Sequence, residues 1–342
     1  MRAQASARIP IAVGLTLAHV WKKNEADDDH ECLTQVVSVE LRTVTLTESC
    51  DRKDRPKPRR LCRDDLRHAS TYQTEFSPFI PDLVGITSFT LSEQSFDELK
   101  RNGLTRHRYL QLNPDGKPPT RLVTTWNIAG SVRELDDAPG ERWRSANIDD
   151  RFVWSVPVIV NDRTVDLPAR HVRGFLESER KSDTVEAMIV DDPAVPLVLD
   201  YRHEKTGFRI KFVKISFPAS DALEHALETE KHADVYGIYF DFNSDVLRPE
   251  SEPVLREIAD LLQKHADWTL AVQGHTDNVG GDAFNLDLSN RRSAAVRKAL
   301  VDRYRIAGKR LTTAGFGASQ PKAPNDTPEG RAKNRRVELV RQ

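Results

Sequence analysis

The spacing of hydrophobic positions changes near residue 218 of this chain. Before that point the apolar residues occur mainly in short alternating or β-branched runs, a pattern typical of strands. The clearest runs are 36–46, 152–160, 185–190, 197–201 and 207–217. One helix is predicted over 92–102, because Phe96 and Leu99 share a helical face and Gly103 can end the helix in a left-handed cap.

Beyond residue 218, helix-like and strand-like segments alternate. The predicted helices are 220–231, 249–264 and 288–304, and the predicted strands are 235–242, 269–272, 310–316 and 336–340. A βαβαβ order with a closing strand predicts a mixed sheet with helices packed on one face. We therefore expect an α+β protein. It would contain a β-rich N-terminal domain over 1–218, a connecting helix or linker over 219–234, and a C-terminal α+β sandwich over 235–342.

The charge balance and the apolar runs exclude two classes of protein. The 51 basic and 52 acidic side chains leave a formal charge of −1, so the chain lacks the positive field that nucleic-acid binding requires. The longest apolar stretch, 9–21, has 13 residues, whereas a helix needs about 20 residues to span a bilayer. Neither a nucleic-acid partner nor a transmembrane helix is expected.

The first 21 residues have two interpretations. Arg2 and Arg8 followed by an apolar run imitate a secretory signal. Val13, Leu15 and Leu17 can equally form one face of a first strand. The absence of a small-residue cleavage site after Trp21 favours the strand, but the sequence leaves both interpretations open.

Three cysteines, Cys32, Cys50 and Cys62, lie in the first fifth of the chain, and none has the spacing of metal ligands. Cys50 and Cys62 flank a charged, proline-containing loop whose unfolded-state entropy a disulfide would reduce. In an oxidising compartment we expect a Cys50–Cys62 bridge first, with Cys32 free or competing for a partner. Three unpaired thiols are the alternative.

The most distinctive chemistry lies where the second C-terminal strand meets the next helix. Asp277 ends the strand, Asn285 begins the helix, and Arg292 follows on it. A carboxylate can bind an ammonium group, whereas a guanidinium and free helix amides can bind a carboxylate. The pair therefore suits the zwitterionic end of an amino acid. The residue types alone leave open a direct ion pair between Asp277 and Arg292.

From Tyr236 to Glu338 the chain resembles the OmpA-like peptidoglycan-binding family. The matching motifs are YGIYFDFNSD, GHTDNVG, NLDLSNRRS, AGFGASQP and NDTPEGRAKNRRVEL, in the family's order. The resemblance implies non-covalent binding of peptidoglycan through the meso-diaminopimelate of the stem peptide. It assigns Asp277 to the ligand ammonium and Arg292 to the ligand carboxylate.

The same resemblance places further residues around the pocket. Asn285 matches the family's helix-opening asparagine, Phe242 its rim residue and Arg335 the first arginine of its NRR motif. Leu288 lies one helical turn before Arg292 on the face that meets the turn, whereas Arg291 points about 100° away. The six predicted ligand-binding residues are Phe242, Asp277, Asn285, Leu288, Arg292 and Arg335.

No catalytic, cofactor or metal site is predicted. His275 and Asp277 lack the further ligands that zinc requires, so we expect His275 to pack in its strand and to bond the backbone. The resemblance implies a non-catalytic wall anchor in the periplasm, associated with the outer membrane of a Gram-negative envelope. Its N-terminal domain would hold an envelope protein partner. A wall-localised hydrolase or sensor with its activity in that domain is the alternative.

Overall fold

A computed structural model describes most of the chain. The described residues are 9–22, 24, 26, 30–50, 58–72, 82–83, 86–87, 89–111, 120–128, 132–134, 143–145, 153–161, 163–177, 182–217 and 222–342. Arg2 and Arg8 of the signal-like segment lie outside them, as do residues 51–57 of the loop between Cys50 and Cys62.

The chain forms two compact units. The first comprises Met1–Val13, Ala18–Val158 and Val165–Phe212, and the second comprises Gly14–Leu17, Ile159–Thr164 and Val213–Gln342. The second unit thus takes in two short segments from the first half of the chain. The boundary at residue 218 that the sequence indicates stays a prediction.

Strands dominate the described part of residues 1–217. They are β1 (Thr16–Lys22), β2 (His30–Val39), β3 (Thr43–Cys50), β4 (Pro58–Cys62), β5 (Thr71–Tyr72), β6 (Asp82–Leu83), β7 (Ile86–Thr87), β8 (Leu104–Gln111), β9 (Thr120–Ile128), β10 (Val132–Glu134), β11 (Trp143–Ser145), β12 (Val153–Val160), β13 (Arg163–Glu177), β14 (Ser182–Val190), β15 (Val198–His203) and β16 (Arg209–Ser216). Among the described residues, β10 pairs with β11, and the others form a sheet in the order β6-β4-β3-β2-β1-β16-β15-β14-β13-β9-β8-β5-β7, with β12 beside β13 and β16.

Two helices accompany these strands, α1 (Asp65–His68) and α2 (Glu93–Asn102). The α2 helix confirms the predicted segment 92–102. The Ser92 hydroxyl accepts a hydrogen bond from the Ser95 N–H at 3.2 Å, and Gly103 ends the helix at φ 75°, a conformation that glycine adopts without a Cβ clash. Phe96 and Leu99 are fully buried in one apolar cluster with residues of β13, β14 and β15.

The predicted Cys50–Cys62 disulfide is wrong, because Cys50 is bonded to Cys32 and Cys62 carries a free thiol. Cys32 lies directly opposite Cys50 in the antiparallel β2–β3 ladder, whereas Cys62 lies opposite Thr43. Thr43 and Cys50 are at opposite ends of β3. Seven residues of strand separate their positions by about 23 Å, far beyond the reach of a disulfide.

The C-terminal part, which the structure describes without gaps from residue 222, contains both helices and strands. They are α3 (Ala222–Thr229), β17 (His232–Val235), a 3-10 turn (Pro249–Ser251), α4 (Glu252–Lys264), β18 (Leu270–His275), α5 (Asp282–Asp302), a second 3-10 turn (Gly308–Arg310), β19 (Leu311–Gly317), α6 (Pro328–Asn334) and β20 (Val337–Arg341). Residues of α3, α4 and α5 share one buried apolar cluster with the strands. The prediction of an α+β protein is confirmed.

These four strands form a mixed sheet in the order β17-β20-β18-β19 within residues 222–342. The β18–β19 pair is parallel, and the other two pairs are antiparallel. The α5 helix lies so close to β18 that a Cβ built on Gly274 would be 2.3 Å from the backbone oxygen of Ser289. Glycine is required there because any side chain would overlap the helix.

Some of the predicted elements differ from the structure. The strand predicted over 235–242 ends at Val235, because the next residues bond outside a ladder: the Tyr239 N–H donates to the Ser251 hydroxyl at 2.8 Å. The α5 helix begins six residues before the predicted start, at Asp282. The α6 helix was not predicted. None of the described helices combines the length and apolar character that crossing a bilayer requires.

Candidate functional site

The turn between β18 and α5 presents Asp277. Two backbone bonds hold the preceding residues: the His275 N–H donates to the Arg336 oxygen, and the Thr276 N–H donates to the Gly317 oxygen, each at 3.0 Å. Farther along the turn, Gly280 has φ +96°, a left-handed conformation that favours glycine. The turn therefore has a fixed path from strand to helix.

The Asp277 carboxylate is held from two sides. Its Oδ1 accepts the Val279 N–H at 3.0 Å, and its Oδ2 accepts Nη1–H of Arg335 at 2.7 Å. The Asp277 side chain is 11% exposed and that of Arg335 is 27% exposed. No ion pair joins Asp277 to Arg292 within the fully described segment 222–342. The direct pair that the residue types left open is replaced by a pair with Arg335.

Asn285 and Leu288 of α5 both have buried side chains. Asn285 is 1% exposed and Leu288 is 4% exposed. The Asn285 side-chain amide donates to the Val279 backbone oxygen at 3.2 Å. Asn285 therefore fixes the turn that presents Asp277, and burial of both side chains limits direct contact with a ligand.

Arg292 and Arg291 have different surroundings. Arg292 donates from Nε to the Ser244 backbone oxygen at 2.9 Å, and its guanidinium lies 4.8 Å above the ring of Phe240. Arg291 instead bonds two carboxylates, Asp287 at 2.8 Å and Asp245 at 2.5 Å. Arg291 therefore has two carboxylate partners, and the expectation that Arg292 is the arginine that faces the site stays a prediction.

Four exposed large apolar side chains in residues 222–342 were not assigned to the site by the sequence analysis. Phe242 is 64% exposed, and its position on the rim of a ligand pocket stays a prediction. The exposed large apolar side chains of residues 222–342 all lie in the segments 240–247 and 279–286: Phe242, Val246, Val279, Phe284 and Leu286. Large apolar residues within otherwise polar stretches are the sequence signal that could have identified them.

A partly buried ionic network includes Arg336, the residue after Arg335. Arg336 is 1% exposed at its side chain and donates from Nε to Asp234 at 2.8 Å. Lys322 lies 3.2 Å from the same carboxylate. Two consecutive arginines therefore have different partners: Arg335 bonds Asp277, and Arg336 bonds Asp234.

His275 belongs to this network and does not bond the backbone through its ring as predicted. The imidazole is 2% exposed, stacks on Phe316 with centroids 5.3 Å apart, and places Nε2 3.5 Å from the Glu338 carboxylate. The nearby His275 lowers the pKa of Glu338 to about 2, and Lys322 and Arg336 act in the same direction against the effect of burial.

Two groups of described residues have donor atoms within 4.8 Å of one another, as metal binding requires: His19 with Cys32 and Glu48, and Glu224 with Glu228 and His265. Cys32 is already bonded in the disulfide. Glu224 is already hydrogen-bonded to His265 and ion-paired with a lysine. Neither group includes a predicted ligand-binding residue.

Comparison with known proteins identifies the fold around Asp277. The model of the OmpA family matches residues 239–335. Residues 239–335 form an OmpA family domain. The resemblance drawn from the sequence motifs is therefore confirmed, and the match contains all six predicted site residues.

Relatives of the OmpA family domain differ in how much of this chain they match. Outer membrane porin F of Pseudomonas aeruginosa is 44% identical over 101 residues, which cover 30% of this chain and 29% of porin F. Peptidoglycan-binding protein ArfA of Mycobacterium tuberculosis is 42% identical over 225 residues, which cover 65% of this chain and 64% of ArfA. Both matches span less than two thirds of the relative's length.

A solved structure is also similar to part of this chain. The peptidoglycan-associated lipoprotein from Burkholderia pseudomallei is 31% identical, and the match covers 31% of this chain and 88% of that chain with a TM-score of 0.29.

Proposed function

We propose that this chain is a non-catalytic protein of the cell envelope that binds peptidoglycan non-covalently. Its ligand would be the diaminopimelate of the stem peptide, and binding would anchor the N-terminal β-rich domain to the wall. The OmpA family match and the name of the relative ArfA, a peptidoglycan-binding protein, support this class of ligand.

The observation that carries the proposal is the fixed, poorly exposed carboxylate of Asp277. An ionised carboxylate offers about four acceptor positions, and the structure uses one on each oxygen of Asp277, for Val279 and Arg335. Acceptor capacity therefore remains for a ligand ammonium group. Charge-assisted bonds of this kind are stronger than neutral ones.

Arg292 would bind the ligand carboxylate. Its guanidinium has a planar set of five N–H donors that matches carboxylate geometry. The bond to the Ser244 oxygen and the Phe240 ring fix its orientation. Arg335 would hold Asp277 in place, and Phe242 would cover the apolar stem of the diamino acid.

The proposed location is the cell envelope. Relatives occur in Pseudomonas and Mycobacterium, and the disulfide agrees with an oxidising compartment. Within that class we propose the periplasm of a Gram-negative envelope, in association with the outer membrane. The N-terminal domain would bind an envelope protein, and no cofactor would take part.

Calorimetric titration of the full chain with meso-diaminopimelate tests the proposal, together with retention on purified sacculi. The Arg292→Gln variant should bind about 30-fold more weakly or worse, since loss of one buried charge partner costs about 2 kcal/mol or more. Arg291→Gln is the matched control and should retain binding. Absence of both heat and retention, or loss in the control alone, would contradict the proposal. Release of muropeptides by the full chain would favour the hydrolase alternative.

A further inference from the structure

Four adjacent strands of the first unit place polar side chains on one face of the sheet. Cys32 lies opposite Cys50, and Thr34 lies opposite Glu48, in the β2–β3 ladder. Side chains two residues apart on a strand share a face. Glu48 therefore lies beside the disulfide on the same face.

The cluster is compact and poorly exposed. The ring nitrogen of His19, the sulfur of Cys32 and a carboxylate oxygen of Glu48 lie within 4.8 Å of one another. The His19 and Glu48 side chains are 4% and 16% exposed, with Nε2 and Oε1 3.7 Å apart. The Thr34 hydroxyl, opposite Glu48, is buried and has no hydrogen-bond partner among the described residues. The Glu48 carboxyl therefore lies next to the sulfur of Cys32.

The two cysteine residues of the disulfide differ in exposure. Cys32 is fully buried, whereas Cys50 is half-buried at the end of β3. An incoming thiolate attacks the accessible sulfur, and the other sulfur then leaves as a thiolate. Attack on Cys50 therefore makes the sulfur of Cys32, which lies beside Glu48, the leaving group.

We infer that the Cys32–Cys50 disulfide exchanges with an external dithiol and that Glu48 protonates the departing sulfur of Cys32. One thiolate of the dithiol attacks Sγ of Cys50, the Cys32–Cys50 bond breaks, and Cys32 takes the proton of the Glu48 carboxyl. The second thiol of the dithiol, deprotonated by water, then attacks the mixed disulfide. Cys50 leaves as a thiolate and takes a proton from water. Glu48, which gave its proton to Cys32, also regains a proton from water. The protein gains two thiols, and the dithiol is oxidised to a disulfide.

The protonation state of Glu48 supports this role. Burial raises the pKa of Glu48 to about 8, and the positive charge of Arg59 opposes the rise. Among the described residues, the titratable or charged groups near Glu48 are His19 of β1 and Arg59 of β4, and the disulfide-bonded Cys32 of β2 lies beside it. Below about pH 8 the carboxyl keeps its proton and can donate it, and above that pH it cannot.

The rate of reduction of the full chain by dithiothreitol tests the inference between about pH 6 and pH 9.5. After Cys62 is blocked, alkylation and mass measurement count the new thiols. At about pH 6.5 the Glu48→Gln variant should react roughly tenfold more slowly than the parent. Above pH 9 the ratio of the parent rate to the variant rate should fall to one or below. Glutamine matches the shape of the protonated carboxyl, so the fold should persist. Glu40→Gln, an exposed change in the same hairpin, should match the parent throughout.

Two results would overturn the inference. The first is a Glu48→Gln variant that reacts as fast as the parent, or more slowly by one constant factor at every pH, as a purely structural role would give. The second concerns the point of attack. A mixed disulfide trapped with a monothiol should map to Cys50, and mapping to Cys32 would contradict the mechanism.

Discussion

Replacement of Asp277 by asparagine removes the negative charge of the proposed ligand site and keeps the shape of the side chain. The carboxylate bonds Arg335 at 2.7 Å and Val279 at 3.0 Å. Loss of one partner from a buried charge pair costs about 2 to 5 kcal/mol of binding. Because the Asp277 and Arg335 side chains are 11% and 27% exposed, solvent screens part of this energy. We therefore expect a loss of about 2 to 3.5 kcal/mol, or roughly 30-fold to 400-fold weaker binding.

Calorimetric titration of both proteins with meso-diaminopimelate measures this difference directly. Asp287→Asn is the matched control, because it removes the same charge from α5, where the side chain is 65% exposed and bonded to Arg291. The control should bind within about threefold of the parent, since exposed ion pairs contribute little. Thermal unfolding should show both variants folded. Parent-like affinity of Asp277→Asn would refute the assignment of Asp277 to the ligand ammonium.

Three further predictions concern the fold. Gly274→Ala should lower the unfolding free energy by about 1 to 3 kcal/mol, because its Cβ would overlap the backbone of α5. Gly281→Ala, with open space around it, should not lower the unfolding free energy. Equal denaturation midpoints for Gly274→Ala and the parent would contradict the close packing of α5 on β18. Cys32→Ser should cost about 3 kcal/mol, since the disulfide closes a loop with a sequence separation of 18; the unfolded parent should show one reactive thiol, that of Cys62, and three would disprove the bridge. Glu338, whose pKa is depressed to about 2, stabilises the fold above about pH 4.5, and this contribution disappears as the pH falls towards 2. In urea unfolding, Glu338→Gln should lose less unfolding free energy than the parent between about pH 4.5 and pH 2. An equal loss in both proteins would contradict the pKa shift.

Local patterns located many helices and strands, but not every element. The α2 helix occurs where its cap residues and apolar spacing indicate, and α4 with its preceding 3-10 turn covers the predicted segment 249–264. Helices depend on contacts within a few residues, so their signals are local. The strand predicted over 235–242 fails after Val235, because a ladder needs a partner that the sequence does not specify. The apolar residues there bond instead to distant side chains, among them Ser251.

The candidate site divides in the same way. The order of motifs predicted the β18–α5 turn and its residues, but not which charges meet. Asp277 bonds Arg335, 58 positions away in the chain, and the nearer Arg292 donates to the Ser244 oxygen. The sequence also does not show which buried residues hold the turn in place. In the structure Asn285 does so through its bond to the Val279 oxygen.

The sequence by itself determined the α+β class, the alternation of elements in the C-terminal domain, the OmpA family motifs and the absence of a strong net charge. All of these depend on residue type and short-range spacing. Only the tertiary structure decided the Cys32–Cys50 bridge, the Asp277–Arg335 pair and the position of Glu48 beside the disulfide. Each depends on strand register or on contacts between distant segments. A shift of register by one residue would turn every side chain of a strand to the other face.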